Sequence, residues 1–247
     1  MSAPSVITID GPAGAGKSTL GELLARRLGY LFFDTGVMYR ALAWAVLRSA
    51  IDPEDSEAVA ALARNLDIQV LPPGDAMDGR PYTVLVDGVD VTWELRHPDV
   101  ERIVSIAARH PAARAIMRAQ QRAIGCRGRV VMVGRDIGSI VMPDAPLKIY
   151  LDASIDERAR RRTHEIQRRG GSVALSHIRN DIIRRDNLDR HMSTPAADAW
   201  IIFSDGLSPE QVVALIIARI DDGGDAPQDT RAYERANNPD PARTRAG

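Results

Sequence analysis

The chain has 247 residues, a length that suits one large α/β domain with insertions or two small domains, and we expect the first. Its formal net charge of −1 argues against a general binder of nucleic acids or membrane surfaces, since such proteins usually carry a clear basic excess. No stretch approaches the roughly 18 apolar residues of a membrane-spanning helix. The single cysteine, Cys126, cannot form an internal disulfide, and no signal segment is evident before the first predicted strand. A cytoplasmic location is therefore expected.

Residues 6–20 carry the strongest motif of the chain. A short β-branched run precedes a glycine loop, in which Gly11, Gly16, Lys17 and Ser18 satisfy the pattern G-x-x-x-x-G-K-[ST]. Glycines let backbone N–H groups converge on phosphate oxygens, and the helix that follows directs its free N–H groups to the same place. Lys17 is predicted to neutralise the β- and γ-phosphates, and the Ser18 hydroxyl to bind Mg²⁺. A plain turn between strand and helix would explain Gly11 but not Lys-Ser-Thr.

The elements after the loop alternate between helix and strand. Apolar residues at helical spacing predict a first helix that ends at Gly29. Residues 30–33 predict a buried parallel strand whose carboxyl end delivers Asp34 to the phosphate side of the sheet. The next helix carries Tyr39 and Arg40 in its first turn. From pattern alone, these two are equally well a core aromatic and a surface charge.

The hydrophobic period changes near residue 68. Residues 68–70 and 82–86 predict strands, and the Asp-Gly pair at residues 87–88 predicts a hairpin turn. A small antiparallel unit inside a series of βα repeats indicates an insertion. Helical spacing returns over residues 99–124, with a break at Pro111.

Two apolar strands are predicted next, at residues 130–133 and 147–151. The first ends at Arg135 and Asp136, and ligands of open α/β sheets bind beyond such strand ends. A helix over residues 154–171 then carries six arginines, which either form a solvated face or cover the charge of a transferring phosphoryl group.

The last predicted elements are a helix, a strand and a capped helix. The first two span residues 176–190 and 199–203. Ser208-Pro209-Glu210-Gln211 forms a capping box that opens the final helix, which is predicted to run to about residue 220. From residue 221 onward, Asp, Gly, Pro, Arg and Asn dominate, and this composition predicts a disordered tail. The five histidines are scattered, and none pairs with Cys126 at a metal-ligand spacing.

Four segments together resemble bacterial cytidylate kinases, which move a phosphoryl group from ATP to CMP or dCMP. They are GPAGAGKST, FDTGVMYRALA, VVMVGRDIGSIVMPDAPLKIYLDAS and RRDNLD, and the resemblance covers roughly residues 5–220. It implies an α/β fold of the P-loop NTPase type, with three αβα layers, a mainly parallel five-stranded sheet and a short lid. We expect a single kinase domain at 1–220, with its core at 4–36 and 128–220, a monophosphate-binding insertion at 37–127 that contains the small antiparallel β unit, a lid region at 155–190, and a disordered tail at 221–247.

The resemblance also implies the roles of individual residues. ATP would be held by Gly11, Pro12, Ala13, Gly14, Ala15, Gly16, Lys17, Ser18, Thr19, Arg158 and Arg161, with Mg²⁺ on Ser18. CMP would be held by Thr35, Tyr39, Arg40, Ser105, Arg114, Arg135, Asp136, Arg185 and Asp189. Catalytic charge would come from Lys17, Arg135, Arg162 and Arg185. The cytosine amino group suits the carboxylate of Asp136, and its acceptors O2 and N3 suit Ser105 and Arg114.

Two departures from the family pattern keep other functions open. The segment after Asp189 is a few residues shorter than usual, so that a further arginine of the family is either missing or replaced by Arg190, and Phe203 stands where the family often has an aspartate. The first alternative is a kinase of a related or modified pyrimidine monophosphate. The second is a nucleotide-binding regulatory module without turnover. The expected partners are ATP and a pyrimidine monophosphate, without nucleic acid or membrane, and the chain is expected to be a monomer.

Overall fold

A computed structural model of the chain describes residues 3–75, 77–168, 170–189 and 194–222. The predicted tail lies almost wholly outside these residues. Among the described residues, no helix combines the length and the apolar character needed to cross a membrane.

A five-stranded parallel sheet forms the centre of the fold. Its strands stand in the order β2-β6-β1-β7-β8. They are β1 (Val6–Asp10), β2 (Leu31–Asp34), β6 (Val130–Val133), β7 (Leu147–Asp152) and β8 (Trp200–Phe203). All of β1 is buried, because it lies in the middle of the sheet with helices covering both faces, and this explains its continuous β-branched run.

Eight α-helices accompany the strands in the described part of the chain. They are α1 (Lys17–Leu28), α2 (Gly36–Arg48), α3 (Ser56–Asn65), α4 (Pro98–Ala107), α5 (Pro111–Gly125), α6 (Ile155–Arg168), α7 (Leu175–Asp189) and α8 (Pro209–Asp221). The capping box of α8 forms as predicted, with Ser208 and Gln211 bonding to each other's backbone. At the end of α1, Gly29 takes a left-handed φ of 66°, and the Tyr30 N–H still donates to Ala25 O. The second strand therefore begins at Leu31, one residue later than predicted.

A second, three-stranded antiparallel sheet stands apart from the first and confirms the predicted β unit. It contains β3 (Ile68–Leu71), β4 (Thr83–Val86) and β5 (Val89–Asp90). Asp87 and Gly88 both take positive φ values, 49° and 78°, as a two-residue hairpin loop requires. The predicted α/β class, with a parallel five-stranded sheet and a small antiparallel unit, is thus confirmed.

Helices α6 and α7 pack on each other around a small apolar cluster of their own. Ala159, Ile178 and Ile182 form this cluster, which is separate from the main core. The pair stands beside the glycine loop, where its arginines reach the loop backbone. The predicted lid region at residues 155–190 contains this helix pair, and its role as a lid stays a prediction.

Candidate active site

The glycine loop turns tightly between the end of β1 and the start of α1. Gly11, Gly14 and Gly16 have φ values of 147°, 80° and 95°, a region that side chains with a Cβ rarely adopt. A Cβ on Gly11 would lie 2.1 Å from the carbonyl oxygen of Leu151 in β7, so only glycine fits there. Gly16 caps α1 without any side-chain hydrogen bond. The first N–H groups of α1 are therefore available to an anion.

Lys17 and Ser18 follow the loop in the first turn of α1. The Nζ of Lys17 donates to the carbonyl oxygen of Pro12 at 2.8 Å, which folds the side chain back over the loop. The Oγ of Ser18 lies 3.0 Å from Oδ2 of Asp34, at the end of β2. The other oxygen of Asp34 accepts the N–H of Gly36 at 3.1 Å, which fixes the carboxylate beside the hydroxyl.

The ammonium group of Lys17 stands in an environment that disfavours its charge. Its pKa is lowered to about 8: burial is the largest cause, the nearby guanidinium groups of Arg135 and Arg158 act in the same direction, and the carboxylates of Asp34 and Asp10 act against it. An incoming triphosphate would supply the negative charge that this arrangement lacks. The cationic side chains of the site are thus already close together before the ligand binds.

Asp10, the last residue of β1, links the glycine loop to the segment after β6. Its two carboxylate oxygens accept the backbone N–H groups of Ile137 and Gly138 at 2.9 and 2.7 Å. Burial raises its pKa to about 6, against these two hydrogen bonds, which lower it. Asp10 therefore holds the π-helical turn Ile137–Val141 in place directly after Arg135 and Asp136. This role of Asp10 was not predicted, although a charged residue at the end of a buried strand is visible in the sequence.

Two arginines of α6 donate hydrogen bonds to backbone carbonyl groups of the glycine loop. Nη1 of Arg158 donates to Ala13 O at 3.0 Å, and its guanidinium also forms a two-point pair with Asp186 of α7 at 2.9 and 2.6 Å. Nη1 of Arg161 donates to Ala15 O at 3.0 Å and to the hydroxyl of Ser204 at the same distance. Both arginines were predicted to bind ATP, and the structure places them on the loop's carbonyl groups.

A cleft of about 1150 Å³ opens at the loop. The loop forms its floor, α6 and α7 form one wall, and the turn from β8 into α8 forms another. The cleft is lined among others by residues 13–20, Arg40, Arg160, Arg161, Arg162, Ser204 and Ser208. Arg162 is half exposed there and pairs with Glu165 at 2.6 Å.

The segment after β6 places Asp136 against two arginines of α5. Nη2 of Arg118 lies 2.5 Å from Oδ2 of Asp136, and Nη2 of Arg114 lies 3.7 Å from the same oxygen. The guanidinium of Arg114 also stacks over the ring of Tyr39, with its Cζ 5.2 Å from the ring centroid. The predicted residues Tyr39, Arg114 and Asp136 are thus brought together. Arg118 was not predicted, although its four-residue spacing from Arg114 put both on one helix face.

Other predicted acceptor residues lie in different surroundings. Nη1 of Arg40 pairs with Glu101 at 2.6 Å, and Arg40 lines the cleft. Thr35 is buried, and its hydroxyl donates to Val133 O at 2.9 Å, so it joins β2 to β6. Ser105 lies exposed on α4. Arg135 is half-buried and close enough to Lys17 to depress its pKa. The side chains of Arg185 and Asp189 lie outside the described part of the chain, and their roles stay predictions.

The fold and the loop place the chain in a broad class. A phosphate-binding loop between the central strand and the first helix of a parallel sheet, under arginine-bearing helices, is the arrangement of P-loop phosphotransferases. The family model described as Cytidylate kinase matches residues 7–222. The chain belongs to the cytidylate kinase family, as its sequence motifs predicted.

Curated relatives agree with this assignment over nearly their full length. The cytidylate kinase of Roseiflexus castenholzii is 84% identical over 232 residues, which cover 94% of this chain and 100% of that protein. The cytidylate kinase of Chloroflexus aggregans is 59% identical, covering 89% of this chain and 95% of the relative. That of Herpetosiphon aurantiacus is 52% identical, with 89% and 96% covered.

Proposed function

We propose that this enzyme transfers the γ-phosphoryl group of ATP to CMP or dCMP, forming ADP and CDP or dCDP. The proposal rests on one observation: Asp10, at the end of β1, joins the phosphate-binding loop to the segment that carries Asp136. Asp10 lies directly before the glycine loop and holds the turn that follows Asp136. The relatives named cytidylate kinase, matched over 89 to 94% of this chain, support the choice of cytidine monophosphates.

In this proposal, the ATP phosphates lie on the glycine loop at the N-terminus of α1. The N–H groups of residues 14–19 and the ammonium group of Lys17 bind their oxygens. Ser18 and Asp34 would hold Mg²⁺. A hydroxyl and a carboxylate 3.0 Å apart suit this ion, which takes few protein oxygens and completes its shell with water and phosphate. The metal would neutralise phosphate charge when bound.

We assign the acceptor base to the pocket formed by Tyr39, Arg114 and Asp136. The Asp136 carboxylate would accept the N4 amino group of cytosine, and Arg114 would donate to the base's acceptors O2 and N3. Uracil has no amino group at that position, so it would leave the carboxylate without a donor. The arrangement therefore favours cytosine over uracil. Ser105, Arg185 and Asp189 complete the proposed acceptor site.

Phosphoryl transfer requires that the two substrates are held in position and that the charge of the phosphoryl group is neutralised, and residues of this chain would do both. Phosphoryl transfer passes through a loose transition state that needs no covalent nucleophile. The guanidinium of Arg135 and the ammonium of Lys17 are neighbours after two adjacent strands, where they would share the charge of the transferring group. Arg162 and Arg185 would add to it from the lid.

The lid would close when arginines of α6 exchange their present protein acceptors for phosphate oxygens of ATP. Arg161 now donates to Ala15 O and to Ser204, beside the cleft. Phosphate oxygens are stronger acceptors for a guanidinium than a neutral carbonyl group. ATP would therefore draw arginines of α6 toward the cleft, and closure would exclude water from the phosphates.

A coupled assay of ADP formation tests the proposed reaction. We expect turnover with CMP and dCMP, weaker turnover with UMP, and none without an acceptor. Modified cytosine monophosphates belong in the same panel, because the segment after Asp189 is shorter than usual in the family. Absence of ADP with every pyrimidine monophosphate would refute the proposal. Tight binding of ATP and CMP without transfer would instead indicate a regulatory module.

We also propose the setting in which the enzyme works. It acts as a monomer in the cytoplasm on ATP and one pyrimidine monophosphate, with no nucleic acid or membrane partner. One kinase domain carries the reaction, with the insertion at 37–127 serving the acceptor and the region at 155–190 serving as the lid. Sedimentation of the purified chain in the presence and absence of both nucleotides tests the monomer.

A further inference from the structure

Helix α5 presents arginines at four-residue intervals to the segment that follows β6. Arg118 contacts Asp136, and Arg122 contacts Val141 O at 2.8 Å and Asp144 at 3.0 Å, near the end of the segment. Arg114 lies one turn earlier, beside Tyr39. Three similar side chains thus have three different surroundings, although they share one face of a helix.

Arg118 and Arg114 compete for one carboxylate oxygen. Arg118 makes the short contact with Oδ2 of Asp136 at 2.5 Å, while Arg114 stays at 3.7 Å. Arg114 is instead held by Ala108 O at 3.2 Å and by the face of the Tyr39 ring. A carboxylate only 10% exposed needs a partner of opposite charge. Without Arg118, Arg114 is the arginine placed to become that partner.

Packing alone does not account for Arg118. Its Nε is buried and has no hydrogen-bond partner among the described residues. A buried donor without an acceptor opposes folding, so a neutral side chain of similar length would serve the helix better. The favourable polar contact of Arg118 is the one with Asp136.

We propose that Arg118 is a positioning residue for recognition of the cytosine base. This inference rests on the proposed CMP kinase function and deepens it. Arg118 neutralises Asp136 through Oδ2, which leaves Oδ1 to accept the cytosine amino group. It thereby also keeps Arg114 from closing onto the carboxylate, so that Arg114 stays on Tyr39 and donates to the acceptors of the base.

The test compares Arg118→Met with Arg122→Met. Methionine keeps the length of the stem and removes the charge, and Arg122 is a matched control on the same helix face. For Arg118→Met we expect KM for CMP to rise about tenfold, the usual scale of one lost base contact. Saturated kcat and KM for ATP should stay near the wild-type values. KM for UMP should rise less, because uracil loses only the contact of its O2 with Arg114 and has no amino group for Asp136, so the CMP preference falls severalfold. Arg118→Lys should restore part of the preference, and Arg122→Met should keep all of it.

Calorimetric titration of CMP without ATP gives a second readout that needs no turnover. Weaker CMP binding by Arg118→Met, with a smaller loss of UMP binding, supports the proposal. An unchanged CMP preference, or an equal loss in Arg122→Met, overturns it. Should Arg118→Met fail to fold, Arg118→Gln carries the same expectation. A wild-type enzyme without CMP turnover would refute the proposed function, whereas an active wild type with an unaltered Arg118→Met preference refutes only this inference.

Discussion

Replacing Asp10 by asparagine should lower the stability of the enzyme at pH 4, and this loss should shrink as pH rises to 7.5. Burial raises the pKa of Asp10 to about 6 from its ordinary value of 3.8. The folded chain therefore keeps a proton on this carboxyl that the unfolded chain has lost, and stability falls as pH rises through this window. The difference corresponds to about 3 kcal/mol at pH 7.5. Asparagine carries no charge, but its amide group has only one oxygen, so one of the Ile137 and Gly138 N–H groups loses the acceptor that it has in Asp10, at a cost that does not depend on pH.

Urea unfolding of both proteins at several pH values between 4 and 7.5 measures this effect. The free-energy difference between variant and wild type should move in favour of Asp10→Asn as pH rises, and then level off above pH 6. Asp198→Asn is the matched control. The hydrogen bonds from Lys148 hold the pKa of Asp198 below its ordinary value, so its contribution is lost only as pH falls below about 4. A constant difference for Asp10→Asn, or a change of the opposite sign, would refute the argument from burial.

Three further outcomes are expected in the proposed active site. Because the pKa of Lys17 is lowered to about 8, its positive charge is lost above that pH, and the Kd of ATP should rise there in a titration at several pH values. Lys17→Ala should lower kcat by orders of magnitude and abolish this pH dependence of the Kd. Gly11→Ala should prevent ATP binding, measured by the same titration, because the new Cβ would lie 2.1 Å from the carbonyl oxygen of Leu151. Asp136→Ala should weaken CMP selection by roughly 1–3 kcal/mol, and equal losses of kcat/KM for CMP and UMP would contradict its role at the amino group.

The fold could be predicted from local sequence patterns because each local preference agrees with the position of that segment in the folded protein. The β-branched run of β1 is buried on both faces, and Gly29 ends α1 in the left-handed conformation. The Asp-Gly pair at residues 87–88 forms the hairpin, and Ser208 caps α8. Signals of this kind depend on neighbours in sequence, which are visible without a structure.

The site was harder to predict because its contacts join distant parts of the chain. Asp10 accepts the N–H groups of Ile137 and Gly138, which lie more than 120 residues away; its charge at the end of a buried strand is visible in the sequence, but its partners are not. The arginines of α6 could be predicted from the sequence only as a group, yet Arg158 is buried against Asp186 while Arg162 is half exposed in the cleft. Which arginine supports and which one reaches a ligand depends on how α6 and α7 pack.

Two arginines of α6 constrain the peptide groups of the glycine loop by binding its carbonyl oxygens. In a planar trans peptide, the C=O and N–H groups point in opposite directions. Arg158 holds Ala13 O and Arg161 holds Ala15 O, so the N–H groups of Gly14 and Gly16 are directed to the other side. Each cation thus satisfies a carbonyl and orients an amide at once. Until ATP draws Arg161 toward the cleft, these bonds hold the loop in one conformation, so the loop has less to reorganise when an anion arrives.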